Sequence, residues 1–174
     1  PVTRQVHARP LLIVPPFINK YYVLDLQPEN SFVRFCVEQG FTTFIVSWRN
    51  IPPELGRLGW EDYINRGVLA PIEAVRAITG SKKINVLGFC VGGTLLASAL
   101  AVLTSQKQAP ASSLTLLASL LDFSETGDIS VYVDADFVAQ AERDYSDGGV
   151  MPGGRLATTF ATLRANDLVW HYVI

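Results

Sequence analysis

The sequence predicts an α/β fold, a mostly parallel sheet with flanking helices, and three observations carry that expectation. From Pro10 to about Leu121, short apolar runs rich in Val, Ile and Leu alternate with stretches of helical character. Strands of a parallel sheet are buried on both faces, so they read as near-continuous apolar runs, and the helices between them return the chain to the same edge. Pro15-Pro16, Gly40 and Gly80 end successive elements, and after Asp122 the regular rhythm stops.

Each element follows in order. Leu11-Leu12-Ile13-Val14 is a short buried strand halted by Pro15-Pro16. Pro28 to Glu38 suits a helix, with Pro28 in the first turn and Gly40 ending it. Thr42 to Trp48 is β-branched and aromatic, which favours a strand. Pro52-Pro53 to Gly59 reads as a loop. Trp60 to about Thr79 has helical character ending at Gly80, with Pro71 expected to kink or split it. Lys83 to Leu87 is the third strand, and a helix beginning just after Cys90 continues from Leu95 to about Ser105. Ser113 to Leu121 is the fourth strand. Two regions result: residues 1–121 as a nucleophile-bearing partial core, and residues 122–174 as the start of a cap. The second is acidic (Asp122, Glu125, Asp128, Asp134, Asp136), broken by Gly148-Gly149 and Gly153-Gly154, and closes on the apolar run Leu168-Val169-Trp170, which needs a partner surface.

Composition excludes several classes. The chain of 174 residues is 49% hydrophobic and 17% charged, enough for a proper core and too apolar for a disordered tail. A net charge of −2 without a basic stripe argues against nucleic-acid binding. No apolar run approaches the roughly 18–20 residues of a membrane span. The two cysteines, Cys36 and Cys90, do not form a disulfide framework and fit a reducing cytoplasm, and the separated His7 and His171 give no metal spacing. The chain opens on Pro1, without a leader or an initiator Met, which reads as a start inside a longer protein.

One motif carries chemistry. Gly88-Phe89-Cys90-Val91-Gly92-Gly93 lies between a strand and a helix, the nucleophile-elbow pattern with Cys in the Ser position. Such a turn holds the nucleophile in a strained backbone conformation and presses its flanking residues together, so Gly88 and Gly92 avoid a clash. The first helical turn leaves N–H groups unpaired with a partial positive charge, which favours a thiolate. The Val91 N–H is then a natural oxyanion donor, partnered by Phe17 or Ile18 from the loop after the first strand. The competing reading is tight strand–helix packing around an inert thiol. A phosphate-binding loop is the other competitor, but the Gly-Lys-Ser/Thr ending is absent.

Whole phrases resemble the polyhydroxyalkanoate synthases, especially those acting on short-chain substrates. They include residues 12–16 (Leu-Ile-Val-Pro-Pro), 18–22 (Ile-Asn-Lys-Tyr-Tyr), 25–31 (Asp-Leu-Gln-Pro-Glu-Asn-Ser), 46–50 (Val-Ser-Trp-Arg-Asn), 83–93 and 166–170 (Asn-Asp-Leu-Val-Trp). The resemblance implies an α/β-hydrolase-type sheet, incomplete here and followed by the start of a cap insertion. It also implies polymerisation of (R)-3-hydroxyacyl-CoA, such as 3-hydroxybutyryl-CoA, into polyester with release of coenzyme A. The expected partners are that substrate, the growing polyester, a cytoplasmic granule surface and a second copy in a homodimer. No cofactor is expected beyond the coenzyme A of the substrate. A cysteine attacking a thioester makes another thioester, so acyl activation survives until the next hydroxyl attacks.

The acid and histidine of such a site follow the nucleophile in the chain, beyond the cap, and no matching histidine segment is present. The chain alone is therefore expected to be inactive. His171 stands where the family pattern has Asn and reads as a surface or cap residue, and His7 as exposed. Asp122 suits turn capping better than acid catalysis. Asp25 either contacts substrate or braces the loop after the first strand. Cys36 is a small core residue, and Trp48 and Trp60 read as ordinary core or edge aromatics, with pocket shaping by the Trp48-Arg49-Asn50 string as the alternative. Two other functions stay open: a cysteine hydrolase of the dienelactone type, and a non-catalytic binding domain.

Overall fold

The computed structural model describes residues 4–172, so the opening at Pro1 lies outside it. The chain divides into two compact units. One holds the chain through Arg49 together with Leu58–Leu121; the other holds Asn50–Arg57 and the chain from Asp122 onward.

The first unit is built on four parallel strands, β1 (Leu11–Val14), β2 (Thr43–Ile45), β3 (Ile84–Phe89) and β4 (Ala111–Leu117), in the order β2-β1-β3-β4. Alternation along β1 sorts its side chains to two faces. Leu12 and Val14 pack with Val68, Ile72, Val75, Leu95, Leu96 and Ala99, while Leu11 and Ile13 pack with Cys36 and Leu87. Helices therefore cover both sides of the sheet: α1 (Phe32–Glu38) on one, α3 (Ala70–Thr79) and α4 (Val91–Ser105) on the other.

Several boundaries differ from the sequence expectation, each for a local reason. The helix expected from Pro28 is a 3-10 turn, Pro28–Asn30, before α1, because Ser31 takes extended backbone and accepts the Arg34 N–H at 2.8 Å as N-cap. The second strand ends at Ile45, short of Trp48. The expected loop from Pro52 contains a 3-10 turn at Pro53–Leu55. The run from Trp60 does not break at Pro71. Instead α2 (Trp60–Ile64) passes into a π turn, Asn65–Leu69, closed by the Ala70 N–H on the Asn65 carbonyl, and Pro71 then occupies the first turn of α3. A proline there gives up an N–H that the wider turn has already released from its α-helical partner. The fourth strand stops at Leu117, where Ala118 takes φ +45° and turns the chain away.

In the second unit, α5 (Ala135–Tyr145), α6 (Gly153–Leu163) and α7 (Ala165–Leu168) carry no buried residue among those described. Asp134 caps α5 through the Phe137 N–H (2.7 Å), and Arg155 joins Asp144 at 3.0 Å and the Tyr145 hydroxyl at 2.8 Å. Asn50–Arg57 belongs here because Gly56 sits directly on the Gly148 carbonyl and Arg57 reaches the Asp147 carbonyl at 3.4 Å.

Candidate active site

The sheet order marks a switch point before any side chain is considered. From β1 the chain adds β2 on one side and β3 and β4 on the other, so its direction of growth reverses between β1 and β3. Open α/β sheets bind ligands at the carboxyl ends of the strands at such a switch point. Both sequence-predicted pieces of the site are there: Cys90 directly follows β3, and Pro15 to Ile18 directly follow β1.

Cys90 is the N-cap of α4 with φ +55° and ψ −132°, a region that non-glycine residues rarely enter. Its N–H donates to the Leu117 carbonyl (2.9 Å), and its own carbonyl accepts the Gly93 N–H (2.8 Å), so the turn is held from both sides. The glycines explain how the turn can close. A Cβ on Gly88 would overlap the Gly93 Cα, one on Gly92 would lie 2.5 Å from the Pro15 carbonyl oxygen, and one on Gly93 would strike the Ser119 hydroxyl. Cys90 is half-buried, whereas Cys36 is 5% exposed and burial pushes its thiol up. The two cysteines therefore sit in different chemical settings.

Val91 opens α4, so its N–H has no acceptor within the helix. On the β1 side, Pro15 and Pro16 carry no N–H, which makes Phe17 and Ile18 the first backbone donors beyond the strand. Ile18 is 37% exposed at this edge, and Phe17 packs among Trp48, Trp60 and Tyr63. Asp25 accepts the Ser31 hydroxyl at 2.5 Å and pairs with Ser31 through its backbone, a brace between this loop and the cap of α1.

Other candidates lie elsewhere. His7 binds the Gln39 carbonyl (3.0 Å) and packs on Phe41, just ahead of β2, at the end of the sheet opposite Cys90. His171 is exposed in the second unit. Asp122 accepts the Ser124 N–H (2.9 Å), a turn contact that draws its carboxyl below the usual value. No group of three His, Cys, Asp or Glu residues fit to hold a metal occurs among the described residues.

Three contacts are not legible in the sequence. Trp48 donates its indole N–H to the Pro15 carbonyl (2.8 Å), across 33 positions of sequence that no local pattern connects. Ser119 fills the space left open at Gly93, and Thr94 ties the Leu120 carbonyl to α4 (2.8 Å). Both are short polar residues that look ordinary in a sequence.

Comparison with known proteins decides the family. The family described as Poly-beta-hydroxybutyrate polymerase (PhaC) N-terminus matches residues 1–36. Over the whole chain, the sequence is 54% identical to the poly(3-hydroxyalkanoate) polymerase subunit PhaC of Cupriavidus necator, covering 30% of that protein. The chain belongs to the polyhydroxyalkanoate synthase family. Poly(3-hydroxyalkanoate) polymerase 1 of Ectopseudomonas oleovorans is 42% identical over 99% of the chain and 31% of its own length, and the Rhizobium etli PhaC subunit is 40% identical over 99% and 27%. The chain spans about 30% of the length of the curated relatives it matches. A crystal structure assigned to a lipase from Sulfolobus solfataricus superposes with a TM-score of 0.54 at 17% identity, covering 66% of this chain and 37% of that one. That likeness shows the α/β-hydrolase-type fold of this chain.

Proposed function

We propose that the full protein polymerises (R)-3-hydroxyacyl-CoA, with 3-hydroxybutyryl-CoA as the representative substrate, and releases coenzyme A. The observation that carries this reading is a cysteine at φ +55° on the strand–helix turn of the switch point, in a chain 54% identical to a poly(3-hydroxyalkanoate) polymerase subunit. Cys90 attacks the thioester carbonyl, the C–S bond to coenzyme A breaks, and the acyl group is held as a cysteine thioester. The Val91 N–H and the Phe17 or Ile18 N–H receive the developing oxyanion. The hydroxyl of a neighbouring hydroxyacyl unit then attacks, an ester forms, and the Cys90 sulfur is released.

The general base and its acid partner are assigned to no residue of this chain. His7 bonds at the wrong end of the sheet, and Asp122 is committed to its turn. Coenzyme A arrives and leaves with the substrate, and no further cofactor enters the proposal. Among the described residues no helix is long and apolar enough to cross a membrane. Association with a cytoplasmic granule surface and action as a homodimer complete the reading.

Product analysis with 3-hydroxybutyryl-CoA tests it. The full protein should release coenzyme A in step with polyester chains longer than one unit, and Cys90→Ala should do neither. Release of free 3-hydroxybutyrate without chain growth would instead mark a cysteine hydrolase. No turnover by the full protein would favour a binding domain.

A further inference from the structure

The carbonyl of Pro15 is held from two directions. On one side it lies against Gly92 of the elbow, where a Cβ would come within 2.5 Å of its oxygen. On the other it accepts the Trp48 indole N–H at 2.8 Å. Pro15 is fully buried, and a buried carbonyl without a partner is costly, so this bond meets a demand the fold creates. Its location matters more than its existence. The next residue is again a proline, so the loop cannot anchor itself through its own N–H groups until Phe17.

The surroundings are arranged for the indole. Its six-membered ring lies directly on Gly67, where a Cβ would overlap Cη2 and Cζ3. Gly67 is buried within the π turn Asn65–Leu69, an irregularity of a kind that recurs at functional sites. Phe17 meets Trp48 edge-on with ring centres 5.8 Å apart, and Tyr63 packs against both rings at 4.7 and 5.8 Å. Trp48 therefore touches the loop twice: at the Pro15 carbonyl through its N–H, and at Phe17 through its ring.

We propose that Trp48 is a positioning residue for acyl transfer, setting through the Pro15 carbonyl the direction of the Phe17 and Ile18 N–H groups relative to the elbow. The inference rests on the acyl-transfer reading above. Gly67 serves the same end by making room for the indole. Trp48 touches no reacting atom; it acts through the backbone of the loop.

Two variants of the full protein test this: Trp48→Phe, and replacement of Trp48 by benzothienylalanine, which keeps the indole's shape with sulfur in place of the N–H. Two reactions of Cys90 are timed in each. Acylation by 3-hydroxybutyryl-CoA passes through a carbonyl oxyanion, whereas alkylation by iodoacetamide displaces iodide from a saturated carbon and forms none. Outright loss of an oxyanion donor costs roughly 10²–10³-fold, so a misaimed donor should slow acylation on the order of tenfold. KM should stay within about twofold and the alkylation rate should match the parent, since uniform binding is not what the N–H supplies. Equal acylation in parent and variants would overturn the inference alone. A parallel fall in both reactions would also overturn it, by marking Trp48 as a packing residue. A parent whose Cys90 never takes up acyl groups would overturn the acyl-transfer reading and this inference with it.

Discussion

At Cys90 the backbone carries the strain that three neighbouring glycines make tolerable. Gly88 and Gly93 meet backbone to backbone, and Gly92 meets the Pro15 carbonyl, so no flexible side-chain end can yield at either place. Gly88→Ala should cost about 2–3 kcal/mol of stability through overpacking, read as a lower denaturant midpoint, with Cys90 displaced. The second thiol behaves differently because it is buried on α1. Burial raises the Cys36 value, so as pH climbs through the ordinary thiol value of 9.0 the unfolded chain loses its proton first. Cys36 therefore contributes its full stability below that value, and the contribution is lost as pH rises above it. Chemical denaturation followed from below to above pH 9.0 should show that decline, and Cys36→Ala should flatten it. The elbow was legible at this scale because its residues are adjacent in the chain. Trp48 was not, since its partner Pro15 is brought to it only by the pairing of β1 with β2.

Elements hold the site through their ends. Ser31 accepts the Arg34 N–H and donates to Asp25, so one hydroxyl both starts α1 and ties down the stretch that follows the oxyanion loop. Ser31→Ala should cost about 1 kcal/mol in thermal or denaturant unfolding, the usual loss of a helix N-cap. Ser31→Asp, which restores a capping acceptor while placing a carboxylate beside Asp25, should recover less than the full loss. Strand identity was readable from apolar runs, as Leu11–Val14 and Ile84–Phe89 demonstrate. Boundaries were harder. Ser113–Leu121 looked like one apolar run, but the turn at Ala118 depends on Ser119 fitting over Gly93 rather than on propensity. The span from Trp60 to Thr79 likewise looked breakable at Pro71, and the irregularity falls just ahead of it, in the π turn around Gly67.

For the whole molecule, sheet topology converts local turns into a site. Two loops distant in sequence, Pro15–Ile18 and Phe89–Val91, become neighbours because β1 and β3 pair with Val14 level with Gly88. Parallel order was foreseeable from the alternation of apolar runs and helices, but the order β2-β1-β3-β4 was not, since no residue pattern names a strand's neighbour. The second unit takes in Asn50–Arg57 as well as the chain from Asp122, and the place of Asn50–Arg57 in it depends on the Gly56–Gly148 contact, which left no mark in composition.

Covalent catalysis by Cys90 is tested most directly by peptide mass mapping of the full protein after brief exposure to 3-hydroxybutyryl-CoA. A hydroxybutyryl adduct is expected on the peptide containing Cys90, sensitive to hydroxylamine as a thioester should be, and absent from Cys90→Ala. An adduct that persists in Cys90→Ala, or a protein that consumes the substrate while Cys90 remains unmodified at every time point, would contradict it.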